Sequence, residues 1–90
     1  MKKLIELQQI EKLKEAWEKT RGTEAYTTYL MQMEFKYKNS WSFVGWYVPF
    51  PSSAMTYYLK TIRGVDYLYT EYKDEINRYL LNDSVKQLFN

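Results

Sequence analysis

Residues 39–59 contain no charged side chain, and residues 41–50 are half aromatic. Apolar surface on this scale must be buried in a core, pressed against a partner or placed in a membrane. The uncharged segment has the length of a membrane span, but Pro49 and Pro51 fall inside it together with several serines. Proline breaks a helix, and hydroxyl-rich segments insert poorly into a bilayer. We therefore expect no membrane contact, and the segment must belong to a core or an interface.

The chain has 90 residues, a length that suits one domain, and we expect residues 1–90 to form a single small domain. It contains no cysteine and no histidine. This composition excludes disulfides, thiolate nucleophiles and cysteine-based metal sites, and it removes the commonest general base and metal ligand. We therefore expect no cofactor, no metal ion and a cytoplasmic location.

An amphipathic helix is predicted for residues 2–20. Apolar side chains recur there at spacings of three and four residues, at Leu7, Ile10, Leu13 and Trp17. The opposite side is charged, and Gly22 then provides a residue type that commonly follows a helix C-terminus. The apolar stripe indicates one packing face against the rest of the domain, with a dimer seam as the alternative.

The next segment is ambiguous between strand and helix. Residues 31–38 alternate between apolar and polar, as a half-buried strand does, although a helical stripe also fits them. The aromatic and β-branched composition of the residues that follow favours a strand, and a strand needs a partner. We therefore predict an antiparallel β-hairpin formed by residues 29–38 and 41–48, with a turn at Asn39 and Ser40. The side chains expected on its core face are those of Trp41, Phe43 and Tyr47.

Two helices are predicted after the hairpin. Pro49 and Pro51 cannot donate ladder hydrogen bonds and end the sheet. Apolar spacing then predicts helices at residues 53–63 and 67–81, the first closed by Gly64, and a short terminal turn follows them. The predicted fold class is therefore α+β, and an all-α bundle is the alternative.

No group of residues indicates catalysis, because no base or nucleophile stands near a group of matching role. The ten tyrosines are more informative, since tyrosine combines rigid contact area with a hydroxyl and suits interfaces. The aromatic side chains exceed what one small core needs. We therefore predict a non-catalytic protein that acts stoichiometrically on a protein partner, as an inhibitor or regulator of, for instance, phage type. The predicted partner-binding residues are Trp46, Tyr47, Phe50 and Tyr57.

Two other functions are compatible with the sequence. Basic residues interleaved with aromatic ones can neutralise phosphates and stack on bases, so a nucleic-acid or nucleotide-binding module is one alternative. Its predicted residues are Lys36, Tyr37, Lys38, Trp41 and Arg63. A net charge of +2 is too small to favour this function on its own. The other alternative is a homo-oligomeric structural subunit in which the aromatic side chains form a self-interface.

Overall fold

The computed structural model describes residues 2–89, so Met1 and Asn90, the ends of the predicted domain, lie outside the described residues. In chain order the elements are β1 (Lys2–Ile5), α1 (Leu7–Lys19), a 3₁₀ helix (Glu24–Tyr29), β2 (Met31–Tyr37), β3 (Ser40–Tyr47), β4 (Thr56–Ile62), β5 (Val65–Tyr72), β6 (Glu75–Leu80) and α2 (Asp83–Leu88). The strands form one sheet in the order β1-β4-β5-β6-β2-β3. Every neighbouring pair is antiparallel.

The core lies between the helices and one face of the sheet, which we call the helix face. Leu59, Leu68 and Tyr79 stand directly opposite one another on three adjacent strands and therefore share this face. The buried core residues are Ile5, Ile10, Leu13, Met31, Tyr57, Leu68, Tyr79, Val85 and Phe89. Both α1 and α2 contribute to this set, and α2 occupies the region predicted as a terminal turn. The opposite side, the open face, carries no helix of the described residues.

The predicted start of the N-terminal helix at residue 2 is wrong. Lys2–Ile5 forms β1, an edge strand that pairs with β4. The helix begins at Leu7, and the Glu6 amide donates a hydrogen bond of 3.1 Å to Oε1 of Gln9 at its first turn. The backbone groups of residues 2–5 form hydrogen bonds with β4, a strand that is far away in sequence. The helical periodicity of the N-terminal segment does not indicate this partner.

The predicted helices at residues 53–63 and 67–81 are also wrong, as is the all-α bundle, because these segments form β4, β5 and β6. The fold is mostly a six-stranded antiparallel sheet with three short helical segments. Arg63 and Gly64 have φ angles of 52° and 78°, as a tight hairpin turn requires. Glycine adopts positive φ both after a helix and in a hairpin turn. The presence of Gly64 in the sequence therefore did not distinguish a helix end from a hairpin turn. The tyrosine and threonine content of these segments favoured strands.

The predicted hairpin is present, since β2 pairs with β3. Its turn lies at Lys38 and Asn39, so the predicted turn at Asn39 and Ser40 is one residue too late. Its predicted core face is wrong for two aromatic residues. Trp41 lies opposite Lys36 and Phe43 lies opposite Glu34, and both pairs belong to the open face. Tyr47 lies on the helix face, opposite Met31, but it is exposed and does not belong to the core. The side chains of Trp41 and Phe43 are therefore directed away from the core.

A β-bulge in β3 explains how Tyr47 and Phe43 come to lie on opposite faces. Gly45 and Phe43 stand opposite consecutive residues of β2, so Val44 between them has no opposite residue. A bulge of this kind shifts the alternation of side chains by one position. Trp46, three residues after Phe43, consequently also lies on the open face. The bulge thus places two large aromatic side chains of one strand side by side.

Burial of tyrosines in the core makes the stability of the protein sensitive to alkaline pH. Burial, with smaller contributions from Tyr57 and Tyr47, raises the pKa of Tyr79 from 10.0 to about 12. The folded state therefore favours the neutral phenol, and this contribution is fully present below pH 10 and is lost as the pH rises towards 12. A difference of this size corresponds to about 3 kcal/mol of unfolding free energy.

We expect urea denaturation to give a steep loss of stability between about pH 10 and pH 12. Tyr79→Phe is the test variant, because it keeps the ring and removes the ionisable group. It should retain more of its stability at pH 12 than the wild type does. Some loss should remain in the variant, because burial also raises the pKa of Tyr57 and of Tyr58. Equal losses in the two proteins would show that Tyr79 does not carry the effect.

Candidate functional site

Four large aromatic side chains lie exposed along and just beyond β3, at one edge of the sheet. Their exposed fractions are 60% for Phe43, 57% for Trp46, 47% for Tyr47 and 70% for Phe50. We call these four residues the β3 surface. Phe43 and Trp46 belong to the open face, whereas Tyr47 belongs to the helix face. Aromatic side chains of the edge strand therefore lie on both faces of the sheet.

The outer side of β3 lacks most of the protections that edge strands commonly have. β3 pairs only with β2, and its eight residues include no charge and no proline. The other edge of the sheet, β1, has only four residues and carries Lys2 and Lys3. Short length and lysine side chains are typical devices against unwanted pairing of strands. The bulge at Val44 is the one such device in β3, and it interrupts the strand without covering the aromatic side chains.

Three of the four predicted partner-binding residues, Trp46, Tyr47 and Phe50, belong to the β3 surface. Tyr57 does not, because its side chain is buried in the core. Its hydroxyl donates a hydrogen bond of 2.8 Å to the Phe50 carbonyl and accepts one of 2.9 Å from the Ser52 amide. Tyr57 thus anchors the segment after β3 and has no ring surface for a partner. Sequence reasoning missed Phe43, because the strict alternation placed it in the core.

A second group of aromatic side chains occupies the middle of the open face. The rings of Tyr58 and Tyr69 stack with centroids 5.1 Å apart, and both side chains are buried although no helix within residues 2–89 covers them. Tyr67 and Trp41 approach Tyr69 edge-on, at 6.2 Å and 5.9 Å. Edge-to-face and stacked contacts of this kind add to the stability gained from burial alone. The four rings form one continuous cluster across the sheet.

Arg78 lies within this cluster, between the strands that carry Tyr67 and Trp41. Its guanidinium carbon is 4.1 Å from the centroid of Trp41 and 4.3 Å from that of Tyr67. Glu34 holds the group in place, since Nε and a terminal nitrogen of Arg78 donate to its two carboxylate oxygens at 3.1 Å and 3.3 Å. A planar guanidinium suits both the aromatic faces and the two-point contact with a carboxylate.

Three lysines complete the cluster from the solvent side. Nζ of Lys2 lies 4.2 Å from the centroid of Tyr58, and those of Lys60 and Lys36 lie 5.7 Å from Tyr69 and 5.9 Å from Trp41. Each contact is within the range of a cation–π interaction. We call this set the aromatic–cation layer. Its members are Trp41, Tyr58, Tyr67, Tyr69, Arg78, Lys2, Lys36 and Lys60.

The structure brings together only part of the predicted nucleic-acid-binding set. Lys36 and Trp41 stand opposite each other within the aromatic–cation layer. Tyr37 and Lys38 lie at the turn between β2 and β3, where their side chains contact each other. Arg63 lies at the turn between β4 and β5, at the opposite end of the sheet. The alternation of Tyr67 and Tyr69 along β5 was a strand signal that the helical interpretation of this segment obscured.

An ion pair between Asp66 and Lys86 borders a cavity. The cavity has a volume of about 240 Å³, and its other lining residues include Lys3, Thr61 and Phe89. Lys86 and the Thr61 hydroxyl lower the pKa of Asp66 through hydrogen bonds, and Nζ of Lys86 lies 2.8 Å from its Oδ2. The carboxylate is thus ionised and engaged, as a structural contact requires.

Residues 2–89 contain no cluster of three or more acidic side chains placed to hold a metal ion. No helix in this part of the chain combines the length and apolarity needed to cross a bilayer. Comparisons of the chain with protein-family models, with curated proteins and with solved structures find no match.

Proposed function

We propose that this chain is a non-catalytic binding protein of the cytoplasm that engages a protein partner stoichiometrically through the β3 surface. The observation that supports the proposal is the exposure of Phe43, Trp46, Tyr47 and Phe50 together on one uncharged edge. Soluble domains rarely expose several large aromatic side chains along one edge strand unless a partner covers them. Regulation or inhibition of the partner would follow from occupying its surface, with no chemical step.

The composition of the β3 surface suits a protein interface. Tryptophan, tyrosine and phenylalanine are enriched at the centres of interfaces, and a few such residues carry much of the binding energy. Removal of apolar area from water contributes about 25 cal/mol per Å². No residue between 39 and 59 is charged, and the ammonium group of Lys14 lies over one ring of the β3 surface, with Nζ 4.0 Å from the centroid of Phe50. Aromatic side chains are rigid, so they lose little conformational entropy on binding.

Site-specific photocrosslinking in the native host tests this function. A benzophenone amino acid placed at Trp46 should give one crosslinked protein of defined mass, whereas the same group at Tyr72 should not. Tyr72 is the matched control, because it is an aromatic residue with 37% exposure at the far end of β5. Trp46→Ser with Phe50→Ser should weaken recovery of that protein at least tenfold, with little change in melting temperature, since both side chains are exposed.

Three results would contradict the proposal. Retention of the partner by the double variant together with a large fall in melting temperature would assign Trp46 and Phe50 to the folded core. Crosslinking of the chain to itself, with a dimer in sedimentation that the double variant abolishes, would establish the homo-oligomeric subunit instead. Equal crosslinking from Trp46 and Tyr72 would show that the β3 surface has no preferred partner.

A further inference from the structure

The lysines of the open face are arranged in a way that the fold does not require. Lys2 and Lys60 stand directly opposite each other on β1 and β4. Like charges in that position destabilise a sheet. Within residues 2–89 the ion pairs are Lys19–Glu15, Arg78–Glu34 and Lys86–Asp66, so none of Lys2, Lys36 and Lys60 is neutralised by a carboxylate. An anion placed above the face would relieve this repulsion.

Two carboxylates of the same face are engaged in hydrogen bonds, but only Glu34 is paired with a cation. Glu34 accepts two hydrogen bonds from Arg78, and Glu71 accepts one of 2.8 Å from the Tyr58 hydroxyl. The ammonium groups of Lys2, Lys36 and Lys60 therefore outweigh the charge left on Glu71, and the field above the aromatic rings is positive. The open face combines a local excess of positive charge with half-exposed rings, although the whole chain has a net charge of only +2.

We propose that the open face binds single-stranded nucleic acid. Phosphates contact Lys2, Lys60 and Lys36, and bases stack on the half-exposed rings of Trp41 and Tyr67. In the unliganded protein Lys36 lies over Trp41, and its ammonium group exchanges this ring for a phosphate when a strand binds. Arg78 stays between the two rings, because Glu34 holds it there. This site adjoins Phe43 and Trp46 of the β3 surface on the same face, but it uses other residues and does not depend on the protein partner proposed above.

The shape of the face favours a single strand over a duplex. Sequence readers of duplex DNA insert a helix or a two-stranded ribbon into a groove, whereas the open face carries neither among the described residues. Unpaired bases instead stack on aromatic side chains presented by a sheet, and positively charged side chains follow the backbone. The rings also favour nucleic acid over an acidic polypeptide, because aspartate and glutamate have no surface that stacks.

Fluorescence anisotropy with labelled oligothymidine of about 12 nucleotides tests the charge contacts. Three phosphate contacts predict that the affinity falls about 20-fold when salt rises from about 50 to 200 mM. Lys2→Gln with Lys60→Gln should reduce this fall to about threefold. Lys12→Gln with Lys19→Gln is the matched control, because it removes the same charge from the exposed side of α1. The control should keep the salt dependence of the wild type.

An abasic strand of equal length tests the stacking without any change to the protein. Loss of base stacking should weaken binding at least tenfold. The Trp41 contribution is checked with Trp41→Phe, whose far-ultraviolet spectrum and melting temperature establish that it is folded. Oligothymidine should quench tryptophan fluorescence in the wild type and quench it less in this variant.

The outcomes that overturn the proposal are distinct. Binding of poly-glutamate as tightly as oligothymidine would assign the face to acidic polypeptides. Equal binding of the abasic strand would leave only nonspecific attraction to a polyanion, and equal salt dependence in the two double variants would place the contacts elsewhere. No binding at about 50 mM salt would eliminate the site, while the crosslinking from Trp46 would still test the protein partner independently.

Discussion

Arg78→Ala is expected to lower the free energy of unfolding by about 3 kcal/mol, an unusually large effect for a residue on an uncovered face of a sheet. The side chains of Arg78 and Glu34 are only 14% and 25% exposed. Removal of the guanidinium leaves the Glu34 carboxylate half-buried without its partner, and it also removes cation–π contacts with Trp41 and Tyr67. Urea denaturation at neutral pH measures the loss.

Two companion variants separate the ion pair from the ring contacts. Arg78→Lys keeps the charge but cannot make the two-point contact or lie flat between the rings, so it should recover less than half of the loss. Glu34→Gln leaves the rings in contact with Arg78 and should cost less than Arg78→Ala. A double-mutant cycle between Arg78 and Glu34 should give a coupling energy of about 1 to 2 kcal/mol. A loss below about 0.5 kcal/mol for Arg78→Ala would show that the aromatic–cation layer contributes little to the free energy of unfolding.

Leu68→Ala is expected to lower the free energy of unfolding by about 3 to 4 kcal/mol. Leu68 has no exposed surface and lies in the middle of β5, opposite Leu59 on one side and Tyr79 on the other. Truncation removes apolar contact and leaves a cavity that the flanking strands cannot close without breaking their ladders. Denaturation of the variant by urea measures the loss directly.

Leu4→Ala is the matched control for this variant. It makes the same chemical change in β1, where Leu4 is 68% exposed on the open face. We expect a change within about 0.5 kcal/mol. A comparable loss in both variants would mean that burial on the helix face does not decide the stability of the sheet. If Leu68→Ala alone is tolerated, the strand assignment of residues 65–72 is incorrect.

Local patterns determined two parts of the fold. The apolar spacing of Ile10 and Leu13 identified the buried side of α1, and both residues have no exposed surface. The alternation in residues 31–37 identified a strand, and its neighbour in sequence was also its neighbour in the sheet. In both cases the information needed lay within a few residues along the chain. That is why sequence reasoning succeeded there.

The C-terminal half needed information from further away. Leu68, Tyr72 and Ile76 recur at a helical spacing by coincidence, while the tyrosines and threonines of the segment favour strands. The turn at Arg63 and Gly64 had the same glycine signal as a helix end. Only the pairing of β4, β5 and β6 separates these alternatives, because strand formation is stabilised by partners rather than by local contacts.

For the candidate binding surfaces too, the sequence determined some features and the tertiary structure decided others. By itself the sequence determined that residues 39–59 are uncharged and aromatic, and that Trp46, Tyr47 and Phe50 stand near one another along the chain. Only the tertiary structure decided which rings are exposed, because the bulge at Val44 and the burial of Tyr57 depend on neighbouring strands. It also brought Arg78 between Tyr67 and Trp41, which are far apart in sequence. Contacts across a sheet join distant segments, and residue order alone does not contain their register.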